Sequence, residues 1–110
     1  MACSGMLLVS KTKIDGIALR RNAEQASQLL KTVANPHRLM ILCTLIDGEL
    51  SVGALNERID VTQSTLSQHL AILRAAALVN TRREAQTIYY SLQGREVQSL
   101  MDCLYSIYCD

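Results

Sequence analysis

The chain has no tryptophan and no phenylalanine, and its aromatic content is 4 tyrosines. An apolar fraction of 49% built without those two residues points to packed aliphatic helices rather than an aromatic-lined ligand pocket. No apolar run reaches 18 residues, which excludes a helical membrane span. The Met6-Leu-Leu-Val9 stretch is too short for the core of a signal peptide, and no basic residue precedes it. The expected location is therefore the cytoplasm, where cysteines are normally reduced. Net charge is nearly absent as well, at +1 over 110 residues. An argument for a polyanionic partner must rest on where the charges lie, not on their sum. A chain of this length is one domain with a real but small core, which a second copy would enlarge.

Two local absences say more. Residues 61 to 83 contain no Asp or Glu but do contain Arg74, Arg82 and Arg83, a local charge of +3. Residues 96 to 110 reverse this, with Glu96, Asp102 and Asp110 and no Lys or Arg. The basic stretch and the acidic end are expected on different surfaces. Inside the acid-free stretch, Leu66, Leu70 and Leu73 fall at i, i+4 and i+7 and form one apolar stripe of a helix. Gln63, Ser64, Ser67, Gln68 and Arg74 come round on the other side. A solvated helix of ordinary type carries Glu and Lys there; short hydrogen-bonding groups with arginines at the end suit a DNA groove. Gln63, Ser64, Ser67 and Gln68 are expected to face DNA, and glutamine can read adenine with two hydrogen bonds. A merely solvated face is the plainer alternative. Thr62 is expected to cap the helix and touch a phosphate. His69 divides evenly between a packed or water-bonded role and a phosphate contact.

The rest of the chain falls into elements around this helix. Residues 1 to 14 lack periodicity and read as a loose tail, with the folded domain over 15 to 110. Leu19, Ala23, Ala26, Leu30 and Val33 repeat at gaps of 4, 3, 4 and 3, an amphipathic helix. Asn35-Pro36 starts a second helix, with an N-cap side chain followed by proline at the first helical position. It runs through Leu39, Leu42, Cys43 and Ile46 to Asp47-Gly48, and Ser51 caps a short third helix with Val52, Leu55 and Ile59 inward. Past Leu78, Val79–Arg83 and Thr87–Leu92 are β-branched and aromatic and form a hairpin across Glu84-Ala85-Gln86. Tyr89 and Tyr90 point to opposite faces of it. Arg82, Arg83 and Gln86 lie at its tip, where backbone or minor-groove contact is expected. Gly94 opens a last helix with Val97, Leu100, Met101, Leu104 and Tyr108 on one side. This order is a mainly α winged helix-turn-helix with a two-stranded wing and an extra dimerisation helix at each end. Two-fold symmetry would set two recognition helices roughly 34 Å apart, as successive major grooves require.

Three segments, Leu30-Lys-Thr-Val-Ala-Asn-Pro-His-Arg-Leu39, Ser64-Thr-Leu-Ser-Gln-His-Leu70 and Arg82-Arg-Glu-Ala-Gln-Thr-Ile-Tyr-Tyr90, resemble the ArsR/SmtB family of dimeric winged-helix repressors. The resemblance covers residues 20 to 109. It implies a homodimeric, sequence-specific transcriptional repressor, not an enzyme, acting on a double-stranded operator of imperfect palindromic form. Metal-sensing members carry cysteines in the segment that here reads Glu49-Leu-Ser-Val-Gly-Ala-Leu55. Ser51 and Gly53 stand where those thiolates would be, and Ala54 where an Asp is common. The family's other metal site needs His and carboxylate pairs on the last helix, which has no His. No metal and no cofactor are expected. Cys43 in Leu-Met-Ile-Leu-Cys-Thr-Leu and Cys109 in Leu-Tyr-Ser-Ile-Tyr-Cys are similar to the cysteine pair of the family's sulfur- and redox-sensing branch. That narrower resemblance implies a disulfide or polysulfide link between Cys43 and Cys109, made by reactive sulfur species or oxidants, with loss of DNA binding. A metal- or haem-responsive repressor is the alternative.

Residue chemistry alone is more reserved about those thiols. Cys43 lies on an apolar stripe, where a cysteine is commonly a small core residue. Cys109 is harder to explain as core, and the neighbouring Asp110 and terminal carboxylate are expected to disfavour its thiolate. Closing a loop between them would, on chain-entropy grounds, contribute roughly 4 kcal/mol of linkage. Cys3 is expected to be incidental. Cys103, six residues before Cys109 and about 240° round the helix, is expected to serve in core or interface packing. His37, in the first turn after Pro36, reads as structural.

Overall fold

The computed structural model describes residues 16–109. The expected tail over 1 to 14, together with Cys3 and Asp110, lies outside the described residues. The chain runs α1 (Gly16–Val33), α2 (Pro36–Thr44), β1 (Leu50–Ser51), α3 (Val52–Arg58), α4 (Gln63–Ala75), β2 (Val79–Glu84), β3 (Thr87–Leu92) and α5 (Arg95–Tyr108). It is mostly helical, with a small antiparallel sheet as the wing. Among the described residues, no helix is long and apolar enough to cross a membrane.

Local chemistry sets the helix starts as expected. Asn35 Oδ1 accepts from the backbone N–H groups of His37 and Arg38, and Pro36 follows it at the first helical position. Ser51 caps α3 by accepting from Ala54 N at 3.1 Å. Thr62 caps α4 by accepting from Thr65 N at 3.2 Å. The end of α4 is a Schellman turn: Leu78 N–H reaches the Leu73 carbonyl at 3.0 Å and Ala77 N–H the Arg74 carbonyl at 3.0 Å. Its left-handed position is held by Ala77, at φ 61°, where glycine is usual. Both hydrophobic partners of the turn, Leu73 and Leu78, are buried, so the turn fixes the angle at which the wing leaves α4.

The core is aliphatic, as the missing Trp and Phe require. Ile41, Leu42 and Leu45 from α2 and its end, Leu55 and Ile59 around α3, and Leu66, Leu70 and Leu73 from α4 meet Val79 and α5's Val97 and Met101. Every one of these side chains is almost fully withdrawn from water, so burial of aliphatic surface is what positions α4.

The structure departs from expectation in three places. The hairpin is joined by β1, so the sheet has three strands in the order β1-β3-β2. Leu50 pairs with Tyr90 and Ser51 with Tyr89, and a strand of two residues is too short to show a period of two in sequence. Glu84 belongs to β2, pairing with Thr87, which shortens the turn to Ala85 and Gln86, with Ala85 at φ 55°. Helix α2 ends at Thr44, before Asp47-Gly48. Tyr108, on the same side of α5 as Val97 and Met101, is 81% exposed in the single chain. The stripe of α1 is likewise open, with Ile17 75%, Leu19 55% and Leu30 52% exposed and only Val33 buried.

Candidate nucleic-acid interface and thiol pair

Helix α4 buries Leu66, Leu70 and Leu73 and turns Gln63, Ser64, Ser67, Gln68 and Arg74 to solvent. At 100° per residue these five occupy one arc of the helix, as a groove-reading face requires. The structure thus brings together the side chains that the sequence singled out, apart from His69. His69 lies off that arc, turned to α2. Its Nδ1 is 3.3 Å from Arg38 Nη1, and its ring lies 5.3 Å, centroid to centroid, from that of His37. Burial, then the positive charge of Arg38, then His37 hold its pKa below the ordinary 6.5. Thr62 spends its hydroxyl on the cap, accepting from Thr65 N and donating to Thr65 Oγ1 at 2.9 Å.

Between the outer face of α4 and the wing lies an open groove of about 500 Å³, lined by Gln63 and Ser67 on one side and Gln86, Thr87 and Tyr90 on the other. Gln86 sits at the wing tip with Arg83, whose Nε donates to the Ala85 carbonyl at 3.2 Å. Arg82 is differently occupied. Its Nη2 donates to Glu49 Oε1 at 2.6 Å, its Nε stands 3.2 Å from both Glu49 oxygens, and Glu84 Oε2 lies 3.5 Å from Nη1. The guanidinium also lies 4.6 Å over the Tyr89 ring, within cation–π range. The hydrogen bond from Arg82 holds the Glu49 carboxyl below the usual carboxylate range, and Glu49 in turn raises Arg82. Sequence reasoning missed Glu49, because absence of acids within 61 to 83 says nothing about a carboxylate delivered from 33 positions away. It also missed Arg38, for the same reason.

On the opposite side of the core, α2 packs on α5. Cys43 is half-buried on α2, and its thiol stands 3.8 Å from the Met101 sulfur of α5. Cys109 caps the C-terminal end of α5, its N–H donating to the Tyr105 carbonyl at 2.8 Å, and its side chain is exposed. Both are free thiols. Burial pushes the Cys43 thiol pKa up, and the charge of Cys109 pushes it further the same way. The expectation of plain packing for Cys103 needs correcting: it is disulfide-bonded, not a free thiol filling space.

The sequence pattern of bacterial regulatory proteins of the arsR family matches residues 35–81. The chain is 52% identical to the transcriptional activator HlyU of Vibrio cholerae over 83% of its length and 84% of the relative's. It is 48% identical to the biofilm growth-associated repressor of Agrobacterium fabrum over 84% and 79% of the two chains. Among solved structures, reduced HlyU from Vibrio cholerae superposes with a TM-score of 0.81 at 51% identity, over 84% of this chain and 97% of that one. The homodimeric winged helix-turn-helix DNA-binding domain of Mb0332 from Mycobacterium bovis does so with a TM-score of 0.70 at 30% identity, over 88% of each.

Proposed function

The chain belongs to the arsR family of bacterial regulatory proteins, a DNA-binding transcription regulator and not an enzyme, and on that premise we propose that it is a homodimeric repressor switched by a Cys43–Cys109 dithiol. The reduced dimer binds an imperfect palindrome in the cytoplasm, where the chromosome lies. Gln63, Ser64, Ser67 and Gln68 read the major groove, Thr62 and Arg74 hold the backbone, and Arg83 and Gln86 carry the wing to the flanking groove. Arg82 joins them when phosphate displaces Glu49, since an exposed ion pair offers little resistance.

The observation that carries the switch is a pair of free thiols, Cys43 on α2 and Cys109 at the end of α5, on two helices that pack together. With a persulfide R–S–SH as oxidant, two thiols give Cys43–S–S–Cys109, one R–SH and one H₂S; a second persulfide leaves one sulfur more in the link. The dithiol is oxidised and the sulfane sulfur reduced. A covalent tie between α2 and α5 alters the relation of the two recognition helices across the dimer, and a differential of a few kcal/mol between states suffices to release DNA. The dimer contact supporting this reading is the pair of open apolar faces, Ile17, Leu19 and Leu30 on α1 and Tyr105, Ile107 and Tyr108 on α5. A surface of that kind normally marks an interface. For the metal-responsive alternative, no group of three or more His, Cys, Asp or Glu suited to a metal ion is assembled among the described residues, and no observation favours it.

The test uses a duplex that the reduced protein selects from a random-sequence library. Treatment with cysteine persulfide, and separately with peroxide, is followed by intact-mass spectrometry and an electrophoretic shift assay. A Cys43–Cys109 link appearing together with release of DNA is the expected result. A Cys43→Ser protein that still releases DNA on persulfide treatment would remove the switch and leave the regulator.

A further inference from the structure

Arg38 joins three helices. Its Nε donates to the Thr32 carbonyl in the last turn of α1 at 2.5 Å. Its backbone N–H completes the Asn35 cap of α2 at 3.1 Å. Its Nη1 reaches His69 Nδ1 in the middle of α4 at 3.3 Å, where the His37 ring also packs, tilted 54° to that of His69. A guanidinium can only donate. The Arg38–His69 contact is a hydrogen bond only while Nδ1 offers a lone pair, so it requires the neutral imidazole with its proton on Nε2.

We infer that Arg38 is a positioning residue for DNA recognition, setting the pose of α4 against α1 through a neutral His69, so that acid weakens operator binding. This rests on α4 being the DNA-reading element and adds a control separate from the thiols. The charged groups acting on His69 are Arg38 and His37, both cationic when protonated and both on α2. Helix α1 offers the Thr32 carbonyl, which engages Arg38. Strand β2, also packed on α4, directs Arg82 to Glu49 and Arg83 to Ala85. Residues 61–83 supply no carboxylate. Protonated His69 would thus lose its bond to Arg38 and repel it. Because the folded-state pKa lies below the ordinary 6.5, the neutral form's contribution is complete above 6.5 and is lost as pH falls through the lowered value.

The sign separates this role from the phosphate contact first weighed for His69. A histidine on phosphate binds better when charged, so acid would tighten the complex; the Arg38 link predicts loosening. The experiment measures anisotropy of a labelled duplex, selected from a random library by reduced wild-type protein at about pH 7.5, and repeats it at about pH 5.5. Wild type is expected to lose affinity about tenfold over that range, the scale of a hydrogen bond to a charged group. His69→Asn puts a carbonyl oxygen in place of Nδ1 and removes the titration; it is expected to hold its affinity within about twofold. Arg38→Gln is expected to bind about tenfold more weakly already at the higher pH and to lack the acid response. Histidine NMR of wild-type protein without DNA adds a direct reading, an unprotonated Nδ1 on His69 that titrates below 6.5. Tighter binding in acid, the same pH profile for His69→Asn and wild type, or a proton on Nδ1 at neutral pH each overturns the inference. Should the library yield no preferred duplex, the reading of sequence-specific DNA binding fails, and the NMR result alone decides the Arg38–His69 link.

Discussion

At the residue scale, the two thiols are unequal. Cys43 is half-buried with its thiol pKa raised by burial and then by Cys109, whereas Cys109 stands exposed at the end of α5. The thiolate is the nucleophile, and access is needed as well. Cys109 is therefore expected to meet an incoming electrophile first and Cys43 to act second. In timed alkylation followed by mass spectrometry, Cys109 in a Cys43→Ser protein should react about tenfold faster than Cys43 in a Cys109→Ser protein. Equal rates would remove the order. Arg82 supplies a second contrast. Glu49 holds it by a bidentate contact, so Glu49→Gln should release a cation to the DNA side. The expected result is tighter DNA binding and a salt dependence steeper by about one phosphate contact, read from affinities over a series of salt concentrations. Arg83→Ala should act in the opposite direction.

At the element scale, the two ends of β2, its join to α4 and its turn into β3, are where backbone conformation is least comfortable. Ala77 at φ 61° and Ala85 at φ 55° occupy the left-handed region, which costs an L-residue with a side chain roughly 1–2 kcal/mol. Ala77→Gly should raise stability by about 1 kcal/mol or somewhat less, since glycine gives back part of the gain as chain entropy. Chemical denaturation with an unchanged m-value checks this; a loss of stability would mean the Schellman turn is held by something other than local conformation. Most elements were legible in sequence because each has a local cause. The Asn35, Ser51 and Thr62 caps and the leucine spacing of α4 lie within a few residues of what they control. Strand β1 was not legible, because Leu50 and Ser51 become a strand only when Tyr89 and Tyr90 arrive as partners.

At the scale of the whole molecule, the single chain leaves an apolar surface uncovered at both ends. Ile17, Leu19 and Leu30 on α1 and Tyr105, Ile107 and Tyr108 on α5 are half-exposed or more, while the winged core between them is closed. A two-fold dimer that buries these faces would also fix the spacing of the two α4 helices, and would thereby couple dimerisation to operator affinity. Leu30→Glu should shift the protein to monomer in sedimentation and weaken binding to a palindromic duplex at least tenfold, with its circular dichroism nearly unchanged. A folded monomer that binds the palindrome as tightly as wild type would separate the two properties.

The order of elements, the helix caps and the polar outer arc of α4 were determined by the sequence itself, because helix periodicity and capping act over three or four residues. Only the tertiary structure decided which distant groups meet: Glu49 on Arg82, Arg38 on His69, and Cys43 on Met101. Those meetings follow from how the aliphatic core closes. Hydrophobic burial has no direction of its own, so residues tens of positions apart become partners only once every helix has taken its place.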